Sequence, residues 1–326
     1  MDNQKLVYTP APHLKSDATV SQAMRDVIIA LIPVCLVAIY FFQFYAILLF
    51  FVSMVTAAIT EVIFRKLMNK KASLHDYSAL LTGLFVALLF PATTAWWTVA
   101  IASFIAVGIA RELMGGLGWN RFNPALFGRV AIIILAPVLP FLNASFMHWD
   151  IDVVTQATPL ALLKQGAAMP GYGEMFLAFP GGAMSETSVL ALLIGAAYLF
   201  YKKHISWQIP VSILAVVFVL TLIIPGQDPL YHLLAGGMVI GAFFMATDWV
   251  TSPITDKGKI IFGAAIGILI VLFRVGLAPT EGVAYAILIV NIFVPLLDRV
   301  TRRPSFSEPK NRKKASVPGE TPAAQS

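Results

Sequence analysis

Cysteine is almost missing from this chain: Cys35 is the only one among 326 residues. A disulfide within the chain is thereby excluded, and so is a cysteine ligand set for an iron–sulfur cluster. Cys35 lies inside an apolar run and reads as a buried packing residue. Charge is also scarce, at 12% of residues, about half of what a soluble domain carries. No P-loop occurs, no dinucleotide glycine fingerprint follows a strand, and no Ser-His-Asp set can be assigned. The chain is therefore not expected to bind ATP or a nicotinamide nucleotide by itself. His13 and His232 stand without carboxylate or histidine company, so no metal site is expected. The net charge of +6 comes from basic residues split among short loops and the C-terminal tail. That pattern belongs to a cytoplasmic membrane face and gives no reason to expect nucleic acid.

What the chain has in abundance is apolar residues, 58% of the total. They fall into runs of membrane-spanning length that do not alternate, so helices and not strands are expected. Ten segments are predicted: Val27–Gln43, Phe44–Val62, Ser78–Phe90, Trp97–Ala110, Pro124–Phe141, Thr187–Tyr201, Ile209–Ile224, Leu230–Ala246, Ile260–Leu277 and Val283–Leu297. A polar segment precedes the first run, so no signal peptide is expected. With the N-terminus inside, 21 of the 23 basic residues fall on the inner side, and only Lys164 and Arg274 fall outside. Trp96, Trp97 and Trp149 then lie near the outer interface, and Trp119, Trp207 and Trp249 near the inner one. Both termini are expected in the cytoplasm and Thr187 on the outer face of a cytoplasmic membrane.

Leu80 to Thr93 resembles Leu233 to Thr247, each the third segment in a block of five. An odd number of helices per block forces the second block to be inverted. The expected fold is all-α and polytopic, with ten transmembrane helices in two inverted five-helix repeats. Residues 1–26 would form a cytoplasmic segment, 27–142 the first repeat, 143–186 an extracytoplasmic loop, 187–298 the second repeat and 299–326 a basic, disordered tail. Small pairs such as Gly237/Gly241 and Gly263/Gly267 would let helices approach closely.

Three stretches carry polar residues where chemistry could sit. Ser185-Glu186-Thr187-Ser188 precedes an apolar segment. Ser185 could cap that helix and Glu186 would favour its positive end. Thr187 would lie in its first turn, where a phosphate is favoured. Gly115 to Pro124 is a turn-like loop containing Trp119, Asn120 and Asn123. Carboxamides offer a donor beside an acceptor, which suits the edge of a flavin or the carbonyl of a quinone. Asp248 closes the eighth segment, as an interfacial charge or as part of an ion path. Asp76, Arg111, Glu112, Arg129 and Asp298 lie near the inner boundary, where salt pairing among them is expected.

Several of these stretches, in order, resemble the RnfD family, one of the membrane components of the Rnf/Rsx ion-translocating ferredoxin:NAD oxidoreductase complex. They are Thr9-Pro10-Ala11-Pro12-His13, Gly115 to Ala125, Ala157-Thr158-Pro159-Leu160-Ala161-Leu162-Leu163, Ser185 to Ser188, Met245 to Pro253 and Asn291 to Arg299. NqrB of the sodium-pumping NADH:quinone reductase is a related alternative, and a secondary transporter with inverted repeats is another. The resemblance implies FMN joined by a phosphoester to Thr187, attached by a separate flavin transferase on the outer side. It also implies a second, non-covalent flavin, riboflavin or FMN, within the helices. The other implied partners are the Rnf subunits of A, B, C, E and G type. The complex would be an ion-translocating oxidoreductase, with no complete activity in this chain alone. One departure from the family pattern is Ser185, where glycine is frequent; the small residue is retained.

Overall fold

The computed structural model describes residues 19–70, 74–143, 160, 170–277 and 281–302. The readings on Tyr8 to His13, Trp149, Lys164, most of Ala157 to Leu163 and the C-terminal tail beyond Arg302 lie outside the described residues. Among the described residues the fold is all-helical, with 11 α-helices and no strand beyond isolated bridge residues. Three helices are long and apolar enough to cross a membrane: Val20–Leu67, Asp256–Gly276 and Gly282–Thr301.

The first, α1 (Val20–Leu67), joins two of the predicted segments. Gln43 sits at φ 48°, ψ −126°, so the tight turn expected there is made by one non-helical residue. Thr19 and Gln22 start the helix with reciprocal side-chain bonds of 3.2 and 3.1 Å, the capping box that satisfies two unpaired donors. The short α2 (Ser78–Leu89) is buried along nearly its whole length. It stops at Phe90, which must turn extended because Pro91 follows. Then come α3 (Trp96–Phe104), continued by a π-helical turn over Ile105–Glu112, and α4 (Pro124–Leu135). Asn123 caps α4, accepting from Ala125 N at 3.1 Å and Leu126 N at 3.3 Å, with Pro124 at the position that needs no N–H.

After α5 (Tyr172–Leu177) and a 3-10 turn (Met184–Glu186) come α6 (Val189–Tyr201) and α7 (Gln208–Ile223). The predicted eighth segment is broken. It consists of α8 (Pro229–Leu234), an interruption at Ala235, Gly236 and Gly237, and α9 (Met238–Ile240), which runs into a π-helical turn at Gly241–Met245. The glycines adopt φ 66° and 64°, left-handed values that other residues resist. The last two helices are α10 (Asp256–Gly276) and α11 (Gly282–Thr301).

Helices approach through small residues. A Cβ on Gly263 would lie 1.8 Å from Ser212 Oγ, and one on Gly267 would lie 2.9 Å from Val216 Cβ, so α10 seats directly on α7. Between α1, α2 and α3, Ser53 donates to Gly83 O at 2.6 Å and shares a 2.7 Å bond with Ser103. The apolar core runs continuously through both halves of the chain. Large side chains such as Leu36, Phe51, Ile268 and Phe293 remain exposed on the outside, the surface a bilayer would cover.

Candidate functional site

Two polar places lie within this apolar frame. The first surrounds Thr187, which is completely buried. Its hydroxyl donates to Met184 O at 3.0 Å, and its carbonyl accepts from Phe179 N at 2.8 Å. Met184 N donates to Phe90 O at 3.1 Å, tying this segment to the end of α2. Thr187 does not stand in the first turn of α6, as the spacing suggested. The N-cap is Ser188, which accepts from Ala191 N at 3.2 Å and donates to Leu177 O at 2.6 Å. The capping role expected of Ser185 therefore falls to Ser188, and Ser185 Oγ is buried without a partner.

Glu186 points to Gly237: a Cβ placed there would lie 3.5 Å from Glu186 Oε1. Its Oε2 is buried without a hydrogen-bond partner. Burial pushes this carboxyl up to about 7, against the pull of Arg129; Glu281 adds to the rise and Arg274 opposes it. Arg129 was expected to pair near the inner boundary. It instead grips Glu281 at the start of α11 with bonds of 2.8 and 2.5 Å. Arg274 donates to His232 O at 2.5 Å, Ala235 O at 2.7 Å and Gly236 O at 3.0 Å. It thus satisfies carbonyls that the helix break leaves unpaired. Neither Glu281 nor Arg274 was singled out as a site residue from sequence. Arg274 is signalled only as a charge within an apolar stretch, and Glu281 lies unmarked in the short connection between the ninth and tenth predicted segments.

The second place is a cavity of about 100 Å³ where α1, α2, the loop before α4 and the end of the broken helix meet. It brings the Asn120–Asn123 loop together with Thr247, Asp248 and Trp249, which sequence could not do. His204 also lines it, bonded to Asp26 at 2.8 Å, and Asp26 in turn accepts from Tyr198 OH at 3.1 Å. Burial pushes the Asp248 carboxyl above its ordinary range, while hydrogen bonds from Thr251, Val250 and Trp249 oppose the rise. The two carboxamides are not equivalent. Asn123 caps α4 with its oxygen and donates to Met245 O at 3.2 Å. Asn120 donates to Phe122 O at 3.1 Å, and its Oδ1 is buried without a partner. Trp119, at 76% exposure, stands outside the cavity.

The two places differ in what they can hold. Around Thr187, unpaired Ser185 Oγ and Glu186 Oε2 mark polar capacity unused by the protein, which suits a polar attachment. The Thr187 hydroxyl is turned inward, onto Met184 O. Around Asn120, a buried unpaired acceptor lining a partly open cavity suits a ring edge that carries a donor.

Residues 7–307 match the model of the NQR2, RnfD, RnfE family. The chain is 41% identical to the D-type subunit of the proton-translocating ferredoxin:NAD(+) oxidoreductase complex of Clostridium ljungdahlii, over 91% of this chain and 94% of that protein. It is 37% identical to the D-type subunit of the Na(+)-translocating ferredoxin:NAD(+) oxidoreductase complex of Acetobacterium woodii, over 97% of this chain and all of that protein. It is also 37% identical to the D-type subunit of the ion-translocating oxidoreductase complex of Cronobacter sakazakii, over 90% and 96%. A match spanning both polar places and nearly every helix leaves one assignment: the chain belongs to the NQR2, RnfD, RnfE family.

Proposed function

We propose that this chain is the flavin-carrying membrane subunit of a complex that couples electron transfer between ferredoxin and NAD to translocation of Na⁺ or H⁺. The observation that carries this reading is the 41% identity, over nearly the full length of both chains, to the D-type subunit of a ferredoxin:NAD(+) oxidoreductase complex. Its partners are the other subunits of such a complex and a flavin transferase. Two inverted five-helix repeats with both termini inside are supported by the distribution of basic residues and by the short or broken third segment of each block. A reporter fused after Arg303 should be active only when directed to the cytoplasmic side; activity on the outer side alone overturns this topology.

Thr187 carries FMN through a phosphoester, and a second, non-covalent flavin, riboflavin or FMN, occupies the cavity beside Asn120 and Asn123. Flavins accept one or two electrons and supply the redox chemistry themselves. The residues bind and orient them: Ser185, Glu186 and Ser188 frame the ester, and Asn123 braces the loop that presents Asn120. With the transferase present, the intact mass should rise by FMN minus one water. Thr187→Ala should abolish that gain, and an unchanged gain would put the flavin elsewhere.

A further inference from the structure

The Asn120 cavity has two buried polar atoms on its lining residues that the protein leaves unpaired. One is a donor: Arg111 lines the cavity at 1% exposure, and its Nη1 has no hydrogen-bond partner. The other is an acceptor, Asn120 Oδ1, on a side chain 5% exposed. Neither group is free to turn away. Arg111 is held by Glu61 on Nη2 at 3.1 Å and by Glu112 against Nε at 3.2 Å. Arg65 reaches the same two carboxylates at 3.1 and 3.3 Å, so the four charges balance. The amide nitrogen of Asn120 is committed to Phe122 O, which leaves the oxygen as its available atom. Unpaired buried groups of this kind are rare in native proteins, and a ligand that satisfies both recovers their desolvation cost.

We propose that the cavity takes its ligand by an imide edge, a carbonyl that accepts from Arg111 beside an N–H that donates to Asn120 Oδ1. The proposal rests on the second-flavin reading and gives it a chemical criterion. The pyrimidine end of an isoalloxazine presents such an edge. A quinone presents acceptors only and would leave Asn120 Oδ1 unpaired. The balanced cluster around Arg111 offers a fixed donor without surplus positive charge, which suits a neutral carbonyl better than a phosphate.

The test uses the purified full chain in detergent with Thr187→Ala, so that no covalent flavin contributes fluorescence, after removal of dissociable flavin. Lumiflavin and 3-methyllumiflavin, which lacks the N–H, are titrated by fluorescence quenching. Lumiflavin should bind about tenfold to a hundredfold tighter than its methyl derivative. Asn120→Ala should erase that preference and Asn120→Asp, which keeps an acceptor, should retain it. Arg111→Lys, which keeps the charge but not the planar fork, should weaken both compounds alike. Equal binding of the two compounds to the parent chain overturns the imide edge while leaving a flavin in the cavity. No binding of either compound overturns the second-flavin reading and the edge together.

Discussion

At the scale of single residues, Glu186 has the environment most open to measurement. It lies in the turn ahead of α6, facing Arg129, Arg274 and Glu281, with one carboxylate oxygen unpaired. Burial raises its pKa from an ordinary 4.5 to about 7. Between those values the unfolded chain has released the proton while the folded chain keeps it. Stability contributed by this group is therefore full below about pH 4.5, falls as pH rises through about 7 and is level above. Glu186→Gln has no proton to release and should lack that slope. Relative to the unsubstituted protein, its Tm should rise between about pH 5 and about pH 7, by at most ~1.4 kcal/mol per pH unit in stability. Parallel Tm curves for the two proteins would show that Glu186 titrates normally. The sequence singled out Glu186 as a helix-dipole partner; its three charged neighbours come from α4, α10 and the start of α11 and were invisible to local spacing.

At the scale of elements, the break between α8 and α9 is where sequence and tertiary structure meet. Two adjacent glycines signal an interruption, and their left-handed φ values supply it. The brace does not announce itself: Arg274 is 38 residues or more from the carbonyls it satisfies. It also explains one of the two exceptions in the basic-residue count, because Arg274 is 5% exposed and serves the break. A Cβ on Gly236 would lie 2.3 Å from Leu160 Cδ1 and 2.8 Å from Arg274 Nη2, at φ 66°. Gly236→Ala should cost about 2–4 kcal/mol, combining backbone strain with overpacking. Gly226→Ala, at φ 76° in open space, should cost only the strain, about 1–2 kcal/mol. Thermal unfolding in detergent measures both, and equal Tm losses would remove the clash from the explanation. Elsewhere, caps and breakers were well marked in sequence: Asn123 before Pro124, Pro91 after α2 and Asp228 before Pro229 all set helix ends. The π-helical turns at Ile105–Glu112 and Gly241–Met245 were not marked, because a π turn is set by packing and not by a distinctive residue pattern. The same limit applies to the cavity, whose lining joins residues from α1 to the end of the broken helix.

At the scale of the whole molecule, the chain's poverty in redox ligands determines what it can do alone. One cysteine gives no iron–sulfur cluster, and the sequence has neither of the nucleotide-binding glycine patterns. On the proposed reading, flavins beside Thr187 and Asn120 would let the chain hold electrons, and the other subunits of the complex would exchange them with ferredoxin and NAD. Coupling to an ion then requires that a change in flavin charge favour one arrangement of the helices over another, since only differential interaction with two states can move an equilibrium. The Arg129–Glu281 pair links the second half of the chain to α4, and the braced break lies beside Glu186 in the Thr187 segment, which makes these the elements best placed to respond. In liposomes, the purified chain should bleach its flavin absorbance on addition of dithionite. It should show no NADH- or ferredoxin-dependent turnover until the other subunits are added. Substitutions that loosen the break, such as Gly236→Ala, should then lower ion transport per electron more than electron transfer itself. Sustained turnover or solute uptake by the chain alone would instead identify it as a self-sufficient transporter, with its broken helix serving substrate passage.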